Sequence, residues 1–181
     1  GSAASFCTCP NCDAFLRLDR GKAKRIKKKG KKNRVDSHKI YFKLGQRFRF
    51  DDADYVLTGE ICTKEVDDGV YYCREYYLYH PHKGYRILEE ENGHYCLCER
   101  VTVDSEFPDL QKLAVYHDKK KFLVFESGST AVDFVRGQFP YAPEVGDRVA
   151  YTDAICPPYV LNKSSSEDEV EYYYGRYVSA E

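Results

Sequence analysis

Apolar and polar residues alternate along several short stretches of this chain, as in residues 40–44 and 47–50. Other stretches, such as 70–79 and 170–178, are almost continuously aromatic or apolar. A period of two places successive side chains on opposite faces of a strand, and aromatic and β-branched residues favour the pleated backbone. The pattern therefore predicts strands along most of the chain and little helix.

The clearest element is a three-stranded meander over residues 75–101. Asn92-Gly93 predicts a type I′ turn, because both central residues of that turn need a positive φ. Residues 81–84, which end in a glycine, predict the other turn. A two-residue turn at Asn92-Gly93 fixes the register and places Leu88 opposite Leu97.

The predicted fold is mainly β, with roughly ten or more antiparallel strands in two packed sheets or a partly open barrel. Beyond the meander, the predicted strands are 55–62, 113–116, 122–126, 148–154 and 170–178. We interpret residues 127–129 as a loop and residues 131–135 as a strand or a short helix.

The charge of the chain is unevenly distributed. Its 181 residues include 28 basic and 29 acidic side chains, for a net charge of −1. Nine of the thirteen residues from 22 to 34 are Lys or Arg, and such a run buries too little apolar surface to fold alone. We therefore expect a degenerate zinc-knuckle segment at 1–16, a flexible basic linker at 17–37 and a single β-rich domain at 38–181.

Composition also bears on the compartment. No stretch approaches the roughly 20 apolar residues of a membrane span. Eight cysteines in this length are too sparse for a disulfide scaffold. We expect a cytoplasmic protein with reduced thiols.

The first three cysteines have metal-like spacing. Cys9 and Cys12 are separated by Pro and Asn, as in a zinc knuckle that points two thiolates at one ion. The second pair of a zinc ribbon, expected about 15–20 residues further on, is missing. Cys7 as third ligand and His38 as fourth are one way to complete a site. The interpretation we prefer is a degenerate turn with free thiols, and no cofactor.

The basic run offers a contact for a polyanion. Lys27, Lys28 and Lys29 are its centre, and lysines near phosphates bind by releasing counterions. Nucleic acid or an anionic membrane surface would be the partner. The interpretation we prefer is a solvated tether, which can fold back on the acidic body.

One group of residues combines sulfur and imidazole on a single strand face. In the predicted register His94, Cys96 and Cys98 point the same way, so the trio suggests either a Cys–His nucleophile or a metal site. Cysteine is also among the most buried residues. We prefer core packing for this trio.

Tyrosines occur in adjacent pairs along the predicted strands. The candidate binding residues are Tyr76, Tyr77, Tyr79 and Tyr85. Adjacent strand residues point to opposite faces, so each pair places a ring on both sides of its sheet. One side can be core, and the other is covered by a second layer or forms an aromatic recognition surface.

Several short motifs occur in a fixed order along residues 40–178. They are Gly59-Glu60, Glu75-Tyr76-Tyr77-Leu78-Tyr79, Gly84-Tyr85-Arg86-Ile87-Leu88, Asn92-Gly93-His94-Tyr95, Gly137-Gln138-Phe139-Pro140-Tyr141, Val145-Gly146-Asp147, Asp153 and Pro157-Pro158-Tyr159-Val160-Leu161. The chain resembles, in these motifs, the bacterial family catalogued as domain of unknown function 4178, but has Tyr141 where Trp is more common. The resemblance implies the β-rich fold and supplies no catalytic residue.

The preferred functional hypothesis is a non-enzymatic binding or scaffold module. Its partner would be a protein or an anionic polymer, contacted through the aromatic β-surface and the basic run. Two alternatives remain open: a hydrolase-like or other enzyme with a Cys/carboxylate cleft, and a zinc-dependent nucleic-acid adaptor.

Overall fold

The computed structural model describes residues 4–9, 12, 14–19, 22–26, 38–66, 71–103, 107, 113–167 and 169–179. These residues form thirteen strands and no helix. The mainly β fold predicted from the alternation of the sequence is confirmed. Across these ranges no helix is long and apolar enough to cross a membrane.

The thirteen strands are numbered in chain order. They are β1 Phe6–Thr8, β2 Phe15–Asp19, β3 Lys22–Arg25, β4 Arg47–Phe50, β5 Ala53–Glu65, β6 Tyr72–His80, β7 Gly84–Glu91, β8 His94–Val101, β9 Ala114–His117, β10 Lys120–Phe139, β11 Arg148–Cys156, β12 Tyr159–Ser165 and β13 Val170–Val178.

The strands form one hydrogen-bonded sheet with the order β3-β2-β1-β10-β11-β12-β13-β8-β7-β6-β5-β4, and β9 pairs with β10 beside this path. Strand β10 also pairs with β5. The pairings from β10 through β11, β12, β13, β8, β7, β6 and β5 therefore form a closed circuit of eight strands, and β1–β4 and β9 lie outside it. Closing the circuit removes the free edges that the inner strands would otherwise expose.

The predicted meander is confirmed. Strand β7 ends at Glu91 and β8 begins at His94, and Asn92 and Gly93 have φ values of 51° and 82°. Both central residues thus have the positive φ of a type I′ turn. Gly84, at the end of the preceding turn, has a φ of 77°.

The chain forms two compact units. The first consists of Gly1–Thr63, Arg74–Ile87 and Val132–Asp147. Its interior is mainly aromatic and aliphatic, and the largest side chains that are at most 2% exposed include Tyr55, Leu57, Ile61, Tyr76, Leu78, Phe134 and Phe139. Burying such side chains stabilises the fold by about 1.5–3 kcal/mol each.

The second unit consists of Lys64–Cys73, Leu88–Ala131 and Arg148–Glu181. Its core cluster is formed by Phe107, Val115, Phe122, Val124, Ala154 and Leu161. Tyr172 and Tyr174, from the Tyr-rich last strand, are half-buried against this cluster.

Strand β10 differs from the prediction because it runs without a break through residues 127–129, which we expected to form a loop. Gly128 is closely packed, because a Cβ atom on it would lie 2.7 Å from a carboxylate oxygen of Glu65 and 2.8 Å from the Tyr151 hydroxyl. The ambiguous residues 131–135 belong to the same strand.

Two other stretches also differ. Residues 38–46 contain no strand despite their alternation, and Ile40 and Leu44 are exposed. Residues 15–19 and 22–25 form the hairpin β2–β3, although residues 17–37 were predicted to be a flexible linker. The hairpin forms because backbone hydrogen bonds do not require apolar side chains. Phe15, the first residue of β2, is buried.

A close approach of β5 and β10 defines the middle of the first unit. Gly137 has a φ of 95°, and a Cβ atom on it would clash with the carbonyl oxygen of Thr58 and lie 2.8 Å from Gly59 Cα. A Cβ atom on Gly59 would in turn lie 2.6 Å from the ring of Phe139. Only glycine fits at both positions.

Substituting Gly137→Ala should lower the free energy of unfolding by roughly 2–5 kcal/mol, because backbone strain and a steric clash add. The matched control is Gly45→Ala, which has a φ of 85° but no atom within 4 Å of the added Cβ. That variant should lose only about 1–2 kcal/mol, the cost of left-handed backbone. Urea unfolding measures both, and equal losses would show that the close approach is unimportant.

Candidate functional site

The site begins with a buried carboxylate. Glu60 on β5 has no exposed surface. Arg74 Nη1 on β6 donates to Glu60 Oε1 at 2.6 Å, and Arg136 Nε on β10 donates to Glu60 Oε2 at 2.6 Å. Arg136 Nη2 also donates to the Phe42 carbonyl oxygen at 2.7 Å. An unpaired buried charge costs several kcal/mol, so the three side chains are stable only together.

Cys62 lies beside this network. It follows Glu60 by two residues on β5 and therefore points to the same face. Its sulfur lies 3.9 Å from His38 Nδ1, and its thiol is also 3.8 Å from the carbonyl oxygen of Thr63. Strand β5 is covered on both faces here, since Ile61 is 2% exposed and Cys62 has no exposed surface.

Asp133 on β10 orients the imidazole. His38 Nε2 lies 2.6 Å from Asp133 Oδ2. An ionised carboxylate only accepts hydrogen bonds, so Nε2 carries the proton, and in the neutral ring Nδ1 is left as an acceptor facing Cys62. The ring is also held by Phe134, whose centroid lies 4.6 Å away. This is the tautomer that a general base for the thiol requires.

Arg74 adds a positive charge to the site. Burial lowers the pKa of Arg74, but Cys62 and Glu60 outweigh that effect, and the pKa is raised. The guanidinium group also lies over two rings, 5.0 Å from the centroid of Tyr41 and 5.7 Å from that of Phe134. Arg74 therefore remains a cation next to the sulfur.

The predicted binding tyrosines are largely interior. Tyr76 has no exposed surface and packs edge-on against Phe42, and Tyr77 is 4% exposed. Both sides of the sheet are thus covered at this pair. Tyr79 and Tyr85 are half-buried, with ring centroids 5.1 Å apart.

Tyr77 links this interior to the surface. Its hydroxyl lies 2.7 Å from the hydroxyl of Tyr141, which is 45% exposed. Tyr77 also packs against Phe139 and Tyr85. An aromatic binding surface in the first unit would therefore be formed by Tyr79, Tyr85 and Tyr141, with Tyr77 beneath them.

The predicted N-terminal site residues are only partly brought together. Cys7 on β1 and Cys9 are half-buried, whereas Cys12 is exposed. Burial and the nearby Cys9 raise the pKa of Cys7. Among the residues that the structure describes, these three cysteines do not form a group of ligand atoms within 4.8 Å. Lys27, Lys28 and Lys29 lie outside the described residues.

One protein family matches most of the chain. The family described as Domain of unknown function (DUF4178) matches residues 43–180. The chain belongs to this family. No curated protein and no solved structure matches it.

Three of the motifs by which the chain resembles DUF4178 proteins meet in the first unit. Gly59 contacts the Gly137–Phe139 stretch, and Glu60 pairs with Arg136, which precedes Gly137. The contact between the Tyr77 and Tyr141 hydroxyls joins the Glu75–Tyr79 motif to the Gly137–Tyr141 motif. In this DUF4178 chain these three motifs therefore form one close-packed junction of β5, β6 and β10, whereas the motifs at residues 92–95, 153 and 157–161 belong to the second unit.

The grouping of Cys62, His38 and Asp133 was not predicted from the sequence. His38 is 24 residues from Cys62 and 95 residues from Asp133 along the chain. No local spacing encodes such contacts. His38 was instead considered as a zinc ligand, but here it contacts Cys62 and Asp133. The sequence did show that Cys62 follows Glu60 by two residues, which places both side chains on the same face of a strand.

A separate ionisable group lies in the second unit. Asp153 on β11 is half-buried and accepts a hydrogen bond from Asn162 Nδ2 at 2.7 Å. Burial raises the pKa of Asp153 to about 6, and Glu126 and Glu91 add to the rise although the Asn162 bond opposes it. Folding therefore raises the pH at which Asp153 loses its proton.

Glu60→Gln should lower the free energy of unfolding by roughly 3–5 kcal/mol, because it leaves two guanidinium groups without their shared carboxylate. The control is Glu169→Gln, which removes the same charge from a surface pair with Arg100. Exposed pairs contribute about 0–1 kcal/mol. Urea unfolding compares the two variants. If both lose the same free energy, the buried network does not stabilise the unit.

Asp153→Asn should remove a pH dependence of stability. The carboxyl pKa is about 3.9 in the unfolded chain and about 6 when folded, so between these values the folded state binds more protons. The contribution of Asp153 to the free energy of unfolding therefore falls as pH rises from about 4 to about 6, by roughly 1–3 kcal/mol.

Melting temperatures of wild type and Asp153→Asn measured across this range test the prediction. The variant should be the more stable protein above about pH 6, and the difference should vanish near pH 4. Asp52→Asn, at a side chain that is 98% exposed, is the control and should follow wild type. Parallel profiles for all three proteins would contradict the assignment.

Proposed function

We propose that this chain is a cysteine-dependent enzyme that transfers or hydrolyses acyl groups. The observation that carries the proposal is the contact series from Cys62 Sγ through His38 to Asp133 Oδ2. A nucleophile, a base within reach and a carboxylate that orients the base are the components of thiol catalysis.

Each residue has a definite task in the reaction. His38 Nδ1 accepts the proton of the Cys62 thiol, and the sulfur attacks the acyl carbon of an ester, thioester or amide. The bond to the leaving group breaks, and the leaving group takes the proton from His38. Water, deprotonated by His38, then cleaves the thioester and restores the thiol.

Arg74 is a positioning residue for the charge on sulfur. A guanidinium group near a sulfur atom favours the thiolate, which is the nucleophilic form. Glu60 and Arg136 fix the place of Arg74 by two-sided pairing. The buried network therefore supports the proposed nucleophile as well as the fold.

Access to the sulfur requires motion. Cys62 has no exposed surface, and His38 lies at the start of the strand-free stretch 38–46. Tyr41 of this stretch is 51% exposed and packs on Arg74. Substrate binding therefore requires residues 38–46 to open, and their closure over the substrate restores the contact between His38 and Cys62.

Alkylation of individual cysteines by iodoacetamide, resolved by peptide mass spectrometry, tests the nucleophile. Cys62 should react faster than Cys73, which is less enclosed and serves as the reference thiol. His38→Gln should slow the reaction of Cys62 by at least ~10-fold and leave Cys73 unchanged. A Cys62 that reacts no faster than Cys73, or is indifferent to His38→Gln, would falsify the proposal.

Acyl transfer itself is tested with p-nitrophenyl acetate. A covalent acetyl group should accumulate on Cys62 when the ester is added, since the thiol is the acceptor. Cys62→Ser should abolish that adduct, and Cys73→Ser is the matched control. Acetylation spread over exposed cysteines and lysines alone would count against an acyl-transfer function.

A second candidate function is the non-enzymatic binding favoured by the sequence. It is supported by the hairpin β2–β3, in which Arg17 lies opposite Lys24 and Lys22, Lys24 and Arg25 are exposed. Like charges directly opposite each other destabilise a strand pair. An anionic partner would neutralise them. Strand β3 is the terminal strand of the sheet order.

Fluorescence anisotropy with single-stranded nucleic acid tests this candidate. Replacing Lys22, Lys24 and Arg25 with Gln should weaken binding, and the salt dependence should become shallower by about one unit of slope for each phosphate that the hairpin no longer neutralises. The control replaces Lys39, Lys43 and Lys83, which are exposed lysines elsewhere in the first unit. Equally weakened binding in both variants would indicate that only overall charge matters.

A further inference from the structure

The second unit holds a compact group of metal-binding atoms. Glu89 lies on β7, and Cys96 and Cys98 lie on β8. One carboxylate oxygen and the two sulfur atoms are all within 4.8 Å of one another, and the sulfurs are 3.6 Å apart. Among the described residues, this is the one group of three such side chains.

The hairpin turn creates this arrangement. A two-residue turn at Asn92-Gly93 places Glu91 opposite His94, and hence Glu89 opposite Cys96. Cys98 follows Cys96 by two residues and points to the same face. The trio weighed from the sequence contained His94, whereas the structure groups Glu89 with the two cysteines.

Packing from β13 brings the sulfurs together. Gly175 pairs with Cys98, and a Cβ atom at Gly175 would lie 2.5 Å from Cys96 Sγ and 2.7 Å from Cys98 Sγ. Any larger residue at this position would force the two sulfurs apart. The glycine therefore forms a cradle that lets both cysteines converge.

The surroundings favour a bound cation. Cys96 and Cys98 are 6% and 2% exposed, and Glu89 is half-buried. Without a metal ion Cys98 donates its thiol proton to Cys96 Sγ at 3.6 Å, and a zinc ion would displace thiol protons and neutralise the two sulfurs and the carboxylate. Glu89 could therefore serve as a ligand and not only as a neighbour of the thiols.

We infer that Glu89, Cys96 and Cys98 bind one zinc ion in the second unit. Two sulfurs and one carboxylate suit a borderline-soft ion, whereas magnesium and calcium prefer oxygen ligands alone. Tetrahedral zinc needs a fourth ligand, and water or an external anion fills that position. The site is independent of the Cys62 group and of the N-terminal cysteines.

Metal analysis of the full chain purified with zinc tests the inference. Wild type should contain roughly one equivalent after removal of loosely bound metal. Cys98→Ser and Glu89→Gln should both lose it, whereas Cys73→Ser and Cys9→Ser should retain it. Retention in Cys98→Ser together with loss in Cys9→Ser would assign the metal to the N-terminal knuckle and overturn the inference.

Cobalt replacement gives a readout that does not depend on stability. Cobalt bound by two thiolates should show a sulfur-to-metal charge-transfer band that Cys98→Ser weakens, because each thiolate contributes to it. Circular dichroism verifies that each variant is folded. A wild-type chain without this band, or one in which Cys96 and Cys98 are isolated as a disulfide under reducing purification, would contradict zinc binding.

Discussion

The buried carboxylate of Glu60 constrains how strands β5, β6 and β10 pack in the first unit. A charge with no exposed surface is tolerable only when donors from other strands reach it, and Arg74 and Arg136 do so from β6 and β10. These ion pairs align β6 and β10 with the same position on β5. Gly59 and Gly137 must then be glycines, because the strands approach too closely for a Cβ atom at either position.

The position of Cys62 follows from that constraint. Once Glu60 faces the two arginines, the alternation of β5 directs Cys62 to the same side. Asp133, three residues before Arg136 on β10, then holds His38 against the sulfur. The charge pair that stabilises the junction and the atoms proposed to react are thus products of the same strand register.

Local features were predictable from the sequence, and long-range contacts were not. The β7–β8 hairpin follows from Asn92-Gly93, because turn chemistry and register depend on adjacent residues. Residues 127–129 were misread because Gly128 serves packing against Tyr151, not a turn. The site with His38 and Asp133 depends on contacts across 95 residues, for which one sequence offers no periodic signal.

The two sulfur-containing groups differ in the charges around them, and this difference separates their chemistry. Cys62 has a cation and an oriented imidazole as neighbours, which favour a thiolate that can attack carbon. Cys96 and Cys98 instead face each other and Glu89, an arrangement in which every added negative charge is unfavourable unless a metal ion enters. The proposed roles of these similarly buried cysteines, nucleophilic attack in the first unit and metal binding in the second, thus rest on their charged neighbours and not on their burial.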